Sequence, residues 1–316
     1  MNRIPWLNVK GGVSPFCLGS LNFGTVLSQA QCFEQLDTFF ENGGNMLDTA
    51  HVYSDWIPDE KSRSEKIIGR WFASRGLRSK AYLATKGAHP DMRTMDVSRV
   101  TPECIVQDIA ESLDYLQTDY IDLYFLHRDD PSVPVAELLD CLNEQVDGGT
   151  IRAIGCSNWT LERIQEANET AQKQGWQGFS VNQPMWSLAH ICEEGLPDRY
   201  VVMDDALYAY HERQQMPAMC FSSQAKGYFV RKNAGENLPK DVLAVYQTEE
   251  NETLYRHLEA IQRVNPSAMT DLPLQFFSTK PFPAVPIVSC DCQKHLEDCF
   301  HAFETDVEGS FPWPKV

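Results

Sequence analysis

The chain has 316 residues, of which 43% are hydrophobic, and its 44 acidic and 27 basic side chains give a formal net charge of −17. This length allows a large buried core, and an α/β barrel commonly occupies such a length as one domain, so a single domain over 1–316 is expected. The acidic balance argues against a nucleic-acid or anionic-membrane partner, because either would need an extended basic patch.

Neither a signal peptide nor a membrane span is expected from the sequence. The first 25 residues hold no long apolar run after a basic start. Nowhere do about 18 consecutive apolar residues occur, the number that a membrane helix needs. The ten cysteines are scattered through predicted strands and helices, which indicates reduced, buried thiols. A cytoplasmic protein is therefore expected.

The chain opens with a predicted hairpin, strand and helix. The hairpin turns around Gly11-Gly12, and the first strand covers 15–19. Ser28 and Gln31 have the spacing of a capping box, in which each side chain bonds the other residue's backbone N–H at a helix start. Gly43-Gly44 supplies the stop signal of that helix.

The second and third strands are predicted over 45–47 and 81–85. Between them, Ser62 and Glu65 have the spacing of a second capping box at the head of a helix. Thr101-Pro102 is typical of a cap followed by proline in the first turn, so another helix is predicted from there.

The rest of the chain continues the alternation of strands and helices. Strands are predicted over 120–126, 151–156, 179–182, 218–221 and 284–288, and helices over about 134–149, from Thr160 onwards, and over about 203–213, 249–264 and 292–303.

Eight strand–helix units in this order predict an α/β fold, the (β/α)₈ TIM barrel. The alternative is an open doubly wound sheet. The sequence lacks G-x-G-x-x-G after its first strand and G-x-x-x-x-G-K-[ST] anywhere, which are the usual phosphate-binding loops of such sheets. The barrel is therefore preferred.

Four chemically useful side chains follow the ends of predicted strands. Asp48 follows the second strand and Tyr53 lies five residues further on, while Lys86 follows the third strand and His127 the fourth. In a parallel barrel the carboxyl ends of the strands share one rim, so these side chains are expected to converge there.

This set suits protonation of a carbonyl oxygen. A tyrosine has an ordinary pKa of about 10, so Tyr53 needs help to act as an acid at neutral pH. A Lys86 ammonium beside the phenol is expected to lower its pKa, and Asp48 would keep that lysine charged. His127 would orient the carbonyl oxygen. Since no protein nucleophile is evident, a nicotinamide cofactor would supply a hydride.

The sequence resembles the aldo-keto reductase family over essentially its full length. The matching motifs, in chain order, are Gly19-Ser20 with Phe23-Gly24, Asp48-Thr49-Ala50 with Tyr53, Ser64-Glu65 with Gly69, Ala84-Thr85-Lys86, Leu126-His127, Ile154-Gly155 with Ser157-Asn158, Asn182-Gln183-Pro184, and Phe221-Ser222 leading to Gly227.

This resemblance implies a catalytic tetrad of Asp48, Tyr53, Lys86 and His127, with Tyr53 as general acid. It implies that Ser157, Asn158 and Gln183 bind the nicotinamide carboxamide and that its ring stacks on Phe221, where the family commonly has tyrosine. A phenylalanine still offers the aromatic face that stacking needs. The remaining cofactor-binding residues implied by the resemblance are Gly19, Ser20, Ser222, Gln224, Lys226, Ser289, Asp291 and His295.

The sequence departs from the family around the adenosine phosphate. The resemblance implies NAD(P)H and usually NADPH, but an acid, Asp291, stands where the family commonly has basic residues. Because an acid repels a 2′-phosphate, NADH is expected to serve comparably or better.

Two further sets of residues have competing interpretations. Trp56, Trp159 and Trp186 follow strand-end motifs and would wall a substrate pocket, or they are packing residues. The second set has the residue types of a zinc site, but the resemblance places a dinucleotide there, so no metal is expected. It consists of Cys290, Cys292, His295, Cys299 and His301.

The sequence thus favours an oxidoreductase that reduces an aldehyde or ketone, with a small carbonyl or polyol substrate that could be sugar-like. Two alternatives stay open: a cofactor-binding regulatory subunit, and a Schiff-base lyase acting through a neutral Lys86. The sequence does not indicate the oligomeric state.

Overall fold

The computed structural model is a closed barrel of eight parallel strands, in which each strand pairs with its neighbours in chain order and the eighth pairs with the first. The predicted (β/α)₈ TIM barrel is confirmed. The structure describes residues 3–58, 60–196, 200–304, 311 and 313–314.

The strands are short and buried. They are β1 Cys17–Gly19, β2 Met46–Asp48, β3 Tyr82–Gly87, β4 Leu123–Leu126, β5 Ile154–Ser157, β6 Phe179–Gln183, β7 Ala218–Cys220 and β8 Ala284–Val288.

The helices surround this barrel. In the described part of the chain they are α1 Gln29–Glu41, α2 Arg63–Arg75, α3 Pro102–Leu116, α4 Val135–Asp147, α5 Leu161–Gln174, α6 Asp205–Gln214, α7 Tyr228–Asn233, α8 Lys240–Tyr246, α9 Glu249–Gln262, α10 Ala268–Gln275 and α11 Gln293–Ala302. None of these helices has the length and apolar character to cross a bilayer.

Most of the predicted helix starts are confirmed. The reciprocal bonds of the capping box are present at Ser28, and the side chains of Thr101 and Thr160 accept backbone N–H bonds at the starts of α3 and α5. The second capping box is wrong. Ser62 has a left-handed backbone and makes no side-chain cap bond, because its hydroxyl donates to the carbonyl of His51 instead.

The segment between β7 and β8 is more helical than the sequence suggested. Only α9 was predicted there, and the structure adds α7, α8 and α10. The first two have six and seven residues, too few for a clear helical period. Pro273 lies inside α10, where a proline ordinarily argues against a helix.

The inside of the barrel is filled by apolar side chains at alternate strand positions, as the two-residue period of a strand requires. Gly155 leaves room for one of them: a Cβ atom built there would meet the ring of Phe125 at 2.5 Å. The chain start covers the amino-terminal end of the barrel, where Ile4 and Val13 form an antiparallel bridge at the predicted hairpin. Trp6 lies between them in sequence and packs edge-on against Tyr82 of β3.

Candidate active site

Five of the predicted site residues each lie one inward-facing position beyond an apolar side chain inside the barrel. Met46, Ala84, Phe125, Val181 and Met219 belong to the cluster inside the barrel. Two residues beyond each of them come Asp48, Lys86, His127, Gln183 and Phe221, in the same order. Since side chains two apart on a strand share a face, the last inward position of each strand lies at the carboxyl-end rim.

Lys86 is the centre of this rim. Its ammonium donates to Asp48 Oδ2 at 2.6 Å, to the carbonyl of Thr49 at 2.7 Å and to the phenol oxygen of Tyr53 at 3.0 Å. An ammonium has three donors, so these bonds use all of them. Lys86 and Asp48 are both 1% exposed, and Gln183 donates to the other carboxylate oxygen of Asp48 at 2.9 Å.

The loop that carries Tyr53 is held at several points. The backbone N–H of His51 bonds the carbonyl of Lys86 at 2.9 Å, and the carbonyl of His51 accepts from Ser62. On the other side, Ser54 has a φ of 78° and donates its hydroxyl to the carbonyl of Phe23 at 2.8 Å. The phenol is therefore held beside Lys86 by hydrogen bonds of the loop on both sides of Tyr53.

The ion pair stays charged in spite of its burial. Burial acts to lower the pKa of Lys86, but Asp48 and Tyr53 outweigh it, so the net pKa of the lysine is raised. For Asp48, burial raises the pKa and the adjacent ammonium opposes that rise. With both groups buried and in contact, the charged pair is the form that the hydrogen bonds favour.

The expected lowering of the Tyr53 pKa is not the net result. Burial raises the pKa of Tyr53, and although the charges of Lys86 and Arg128 lower it, they do not overcome burial. The phenol is therefore protonated at neutral pH. Lys86 still lowers the energetic cost of forming a phenolate there, because the ammonium lies 3.0 Å from the oxygen.

His127 lies across from the phenol, with its ring centroid 6.1 Å from that of Tyr53. Burial lowers its pKa well below the usual value, and the positive charges of His89, Lys86 and Arg128 act in the same direction. The imidazole is therefore neutral at pH 7. Its Nδ1 atom is buried and makes no hydrogen bond within the described part of the chain.

A polar layer behind the tetrad was missed by the sequence interpretation. Glu65, assigned to a cap, is fully buried and accepts from Thr85 on β3 at 2.6 Å and from Ser112 on α3 at 3.2 Å. Burial raises its pKa. A single helix-start motif cannot distinguish a cap from a buried network, so this role was not predictable from the local pattern.

Two acids of α3 hold the loops around the tetrad. Asp108 accepts from the backbone N–H of Ala88 at 2.8 Å and from Arg99, while Glu111 bonds His51 Nε2 at 2.8 Å. Asp108 directly precedes Ile109 in the apolar stripe of α3. A charged residue inside an apolar stripe is the signal that could have indicated a buried role.

The residues predicted for the nicotinamide carboxamide lie together at the ends of β5 and β6. The Ser157 hydroxyl donates to the carbonyl of Gln183 at 2.9 Å. Asn158 donates to Ser157 Oγ and to the carbonyl of His127, and has a φ of 60°. Hydroxyl and amide groups are complementary to a carboxamide, and the half-buried ring of Phe221 stands at the end of the next strand.

Three of the residues predicted to bind the cofactor, Ser222, Gln224 and Lys226, lie in an unusual turn after β7. Ser222, Ala225 and Lys226 all have left-handed φ values, of 53°, 50° and 51°. Successive turns of this kind expose backbone N–H groups that can bind anions. Lys226 pairs with Asp241 of α8 at 2.9 Å, and Gln224 precedes the turn's short helical segment.

The third part of the predicted cofactor site lies at the ends of β1 and β8. Gly19 is packed so closely that a Cβ atom there would meet Ser289 Oγ at 2.8 Å. Ser20 bonds the carbonyl of Asp48, while Asp291 is exposed and accepts from the amide of Asn22 at 2.9 Å. His295 is exposed on α11.

Two of the three predicted pocket tryptophans are core residues. Trp159 is fully buried, packs edge-on against Phe179 and donates to the carbonyl of Arg128. Trp186 is buried in an aromatic cluster that includes Phe276 and Phe282. Both belong to the hydrophobic core cluster, and their role in a pocket stays a prediction. Trp56 is 45% exposed on the loop of Tyr53, so its pocket role stays a prediction.

No metal-binding group is found in the described residues, since no three or more His, Cys, Asp or Glu side chains are placed to hold an ion. In the cysteine-rich stretch around α11, Cys290 and Cys299 are buried and Cys292 is exposed.

The comparisons with known proteins agree with the barrel fold. The model of the Aldo/keto reductase family matches residues 15–309. The chain belongs to that family. Its similar relatives include norsolorinic acid reductase B of Dothistroma septosporum, which is 32% identical over 190 residues that cover 56% of this chain and 47% of the relative.

Two other relatives have different names. An aryl-alcohol dehydrogenase of Pestalotiopsis microspora is 31% identical over 55% of this chain and 47% of its own length. An uncharacterized oxidoreductase of Bacillus subtilis is 33% identical over 56% of this chain and 55% of its own length. The matched region thus spans about half the length of the curated relatives.

Proposed function

We propose that this aldo-keto reductase uses NAD(P)H to reduce the carbonyl group of an aldehyde or ketone, with Tyr53 as general acid. The observation that carries the proposal is the position of the Lys86 ammonium, which bonds Asp48 and Tyr53 at the same time. Family membership and relatives named as reductases and dehydrogenases support an oxidoreductase.

Tyr53 is suited to donate a proton. Its oxygen accepts a hydrogen bond from Lys86, so the hydroxyl proton remains available for a carbonyl oxygen. The raised pKa keeps that proton on the phenol at neutral pH. Once the proton is transferred, the ammonium stabilises the phenolate.

His127 is suited to orient the same carbonyl. A neutral imidazole carries one N–H, which can donate to an oxygen without competing for its proton. The lowered pKa of His127 therefore assigns it the role of a hydrogen-bond donor, while the proton transfer belongs to Tyr53.

The chain's own groups fit a nicotinamide dinucleotide. Ser157, Asn158 and Gln183 would hold the carboxamide, Phe221 would support the ring, and the turn beginning at Ser222 would bind phosphate. The bound cofactor supplies the hydride. The residues of the barrel rim hold the reacting groups in position and keep water from them.

We further propose that NADH serves at least as well as NADPH. Asp291 carries a negative charge at the end predicted for the adenosine, and Asn22 holds it there. Lys294, three residues further on, is paired with Asp298 at 2.6 Å, so its positive charge is partly offset by a carboxylate. An NADPH preference of more than about 100-fold, or roughly 2.7 kcal/mol, would contradict this proposal.

The hydrogen bonds of Lys86 argue against the two alternative functions, a Schiff-base lyase and a regulatory subunit. A Schiff-base lyase needs a neutral amine, and the pKa of Lys86 is raised. A regulatory subunit would not need the three bonds that order Lys86.

The test is the substitution Tyr53→Phe, with Tyr255→Phe on α9 as the matched control. Turnover of an aldehyde should fall about 10²- to 10⁴-fold, because the general acid is lost. The cofactor dissociation constant, measured by nicotinamide fluorescence, should stay within about twofold, since the ring packing is kept. Unchanged turnover in Tyr53→Phe would remove Tyr53 from the mechanism.

A further inference from the structure

His51 lies two residues before Tyr53, in the turn that leads to the phenol. The backbone N–H of Tyr53 bonds the carbonyl of Ala50 at 3.0 Å, so residues 50–53 form a turn with His51 at its first central position. The N–H of His51 bonds the carbonyl of Lys86 at 2.9 Å. A shift in the backbone of His51 therefore moves the phenol relative to the ammonium of Lys86.

The side chain of His51 connects this turn to α3. Its Nε2 atom lies 2.8 Å from Glu111 Oε2, and because a carboxylate only accepts hydrogen bonds, this nitrogen carries a proton and donates it. Nδ1 lies 3.9 Å from Asp108 Oδ1, and the imidazole stacks on the ring of Tyr115, with 6.1 Å between the centroids. In the described part of the chain, the polar and ring contacts between the Tyr53 loop and α3 all belong to His51.

Glu111 is itself held in place on its helix. Gln107, one turn earlier, donates to Glu111 Oε1 at 2.7 Å. Burial acts to raise the pKa of Glu111, but the hydrogen bonds from Gln107 and His51 outweigh burial, so the net pKa is lowered. Glu111 is therefore a carboxylate at neutral pH, with one oxygen bonded to its own helix and the other to the loop.

A cavity of about 180 Å³ separates the Tyr53 loop from α3. Where a void lies between two surfaces, the facing side chains lose the contacts that would attract them to each other. The position of the loop against the helix therefore depends on the bonds that bridge the cavity. The loop lines it with His51, Val52 and Asp55, and the helix lines it with Gln107, Glu111 and Tyr115.

We propose that His51 is a positioning residue for carbonyl reduction, which holds Tyr53 beside Lys86 through its bond to Glu111. This inference rests on the reductase function proposed above and adds a residue that acts through Tyr53. A reacting group that is displaced by about 1 Å can cost about 100-fold in rate, so a bond that fixes this loop has a large expected effect on turnover.

The experiment measures kcat for the aldehyde that the wild type reduces fastest, chosen from a panel of aromatic and aliphatic aldehydes. His51→Ala removes the donor and Glu111→Ala removes the acceptor. His51→Gln is the conservative variant, because its amide places an N–H donor near the position of Nε2. His257→Gln, on the exposed surface of α9, is the matched control.

Turnover should fall about 10- to 100-fold in His51→Ala and in Glu111→Ala, since the phenol is no longer held at its place. It should stay within about threefold of the wild type in His51→Gln, which keeps the bond to Glu111. His257→Gln should have wild-type turnover. The cofactor dissociation constant, measured by nicotinamide fluorescence, should not change in any of these variants, because the residues proposed to hold the dinucleotide lie on other loops.

A second measurement separates positioning of Tyr53 from a general structural role. His51→Ala and Glu111→Ala are each combined with Tyr53→Phe. If His51 acts through the phenol, its loss should change the residual turnover of Tyr53→Phe by less than about twofold, because no acid is left to misplace. A general loosening of the site would lower turnover by the same factor with and without the phenol. Glu111→Ala changes a partly exposed side chain, so it remains informative if His51→Ala does not fold.

The inference is overturned by wild-type turnover in both alanine variants, or by an equal loss in the Tyr53→Phe background. A loss in His51→Gln as large as that in His51→Ala would likewise contradict the role of the bond to Glu111. If the wild type reduces an aldehyde and Tyr53→Phe does not, the proposed function stands in each of these cases and only the role of His51 is wrong. If the wild type reduces no aldehyde although cofactor binds, the proposed function fails and this inference falls with it.

Discussion

The two ends of the candidate site are held in different ways. At the tetrad end, Asp48 and Lys86 are 1% exposed and bonded to each other and to Gln183, so three strands are joined by side-chain bonds. At the phosphate end, Lys226 and Asp291 are exposed and bonded to surface neighbours.

Because of this difference, we expect the residues of the proposed reaction and those of cofactor recognition to tolerate substitution to different degrees. Removal of one partner from a buried network leaves the other unsatisfied in a medium that solvates it poorly. Removal of an exposed partner leaves a group that water can satisfy, so its cost is small. The tetrad end should therefore be intolerant of substitution, whereas cofactor choice at the other end should be adjustable without loss of chemistry.

The largest effect is expected for Lys86→Met. It should lower turnover at least about 10³-fold, because the phenolate loses its cation. It should also lower the free energy of unfolding by about 3–5 kcal/mol, since the buried Asp48 loses its partner. Steady-state kinetics and chemical denaturation measure the two quantities.

Two variants sharpen that result. The double variant Lys86→Met with Asp48→Asn should recover part of the lost stability, because the uncompensated charge is removed. Lys226→Ala, at the other end, should leave the denaturation midpoint nearly unchanged. If Lys86→Met proves as stable as the wild type, the two ends do not differ as argued.

The next effect is on the pH dependence at the tetrad end. Because burial raises the pKa of Tyr53 above the ordinary value of about 10, carbonyl reduction should not fall as the pH rises to that value, and the loss of the proton donor should lower it only at still higher pH. Alcohol oxidation should rise over the same range, since the phenolate is then the base. Log kcat against pH, measured in both directions, tests this.

The same pH profiles also test whether His127 is neutral in the active enzyme. Its lowered pKa means that the imidazole is neutral on both sides of pH 6.5, so neither profile should show a step there. A step near pH 6.5 that disappears in His127→Asn would show that the imidazole titrates in the active enzyme.

The smallest effect is expected for Asp291→Asn at the phosphate end. This substitution keeps a hydrogen-bonding group for Asn22 and removes one negative charge, so the ratio of kcat/KM for NADPH over NADH should rise about tenfold. Asp140→Asn on the exposed face of α4 is the control. A ratio that does not change would mean that Asp291 lies outside the range of the 2′-phosphate.

The sequence could place the candidate site residues at strand ends because the signals of strand ends are local. The residues of the tetrad and of the proposed carboxamide site come at or just after strand ends, and the barrel brings those ends to one rim. Strand β8 was predicted with its observed bounds, 284–288, because a short apolar run has clear ends. The short helices between β7 and β8 were missed because they repeat too few times to show a period.

By itself, the sequence determined the order of strands and helices and the position of each reactive side chain along its strand, since both follow from local periodicity. Tertiary structure decided the burial of Glu65, Trp159 and Trp186, the pairing of His51 with Glu111, and the net direction of the Tyr53 pKa. Each of these depends on neighbours far apart in sequence. Desolvation and contact are sums over all groups that surround a side chain, and only the folded chain defines that set.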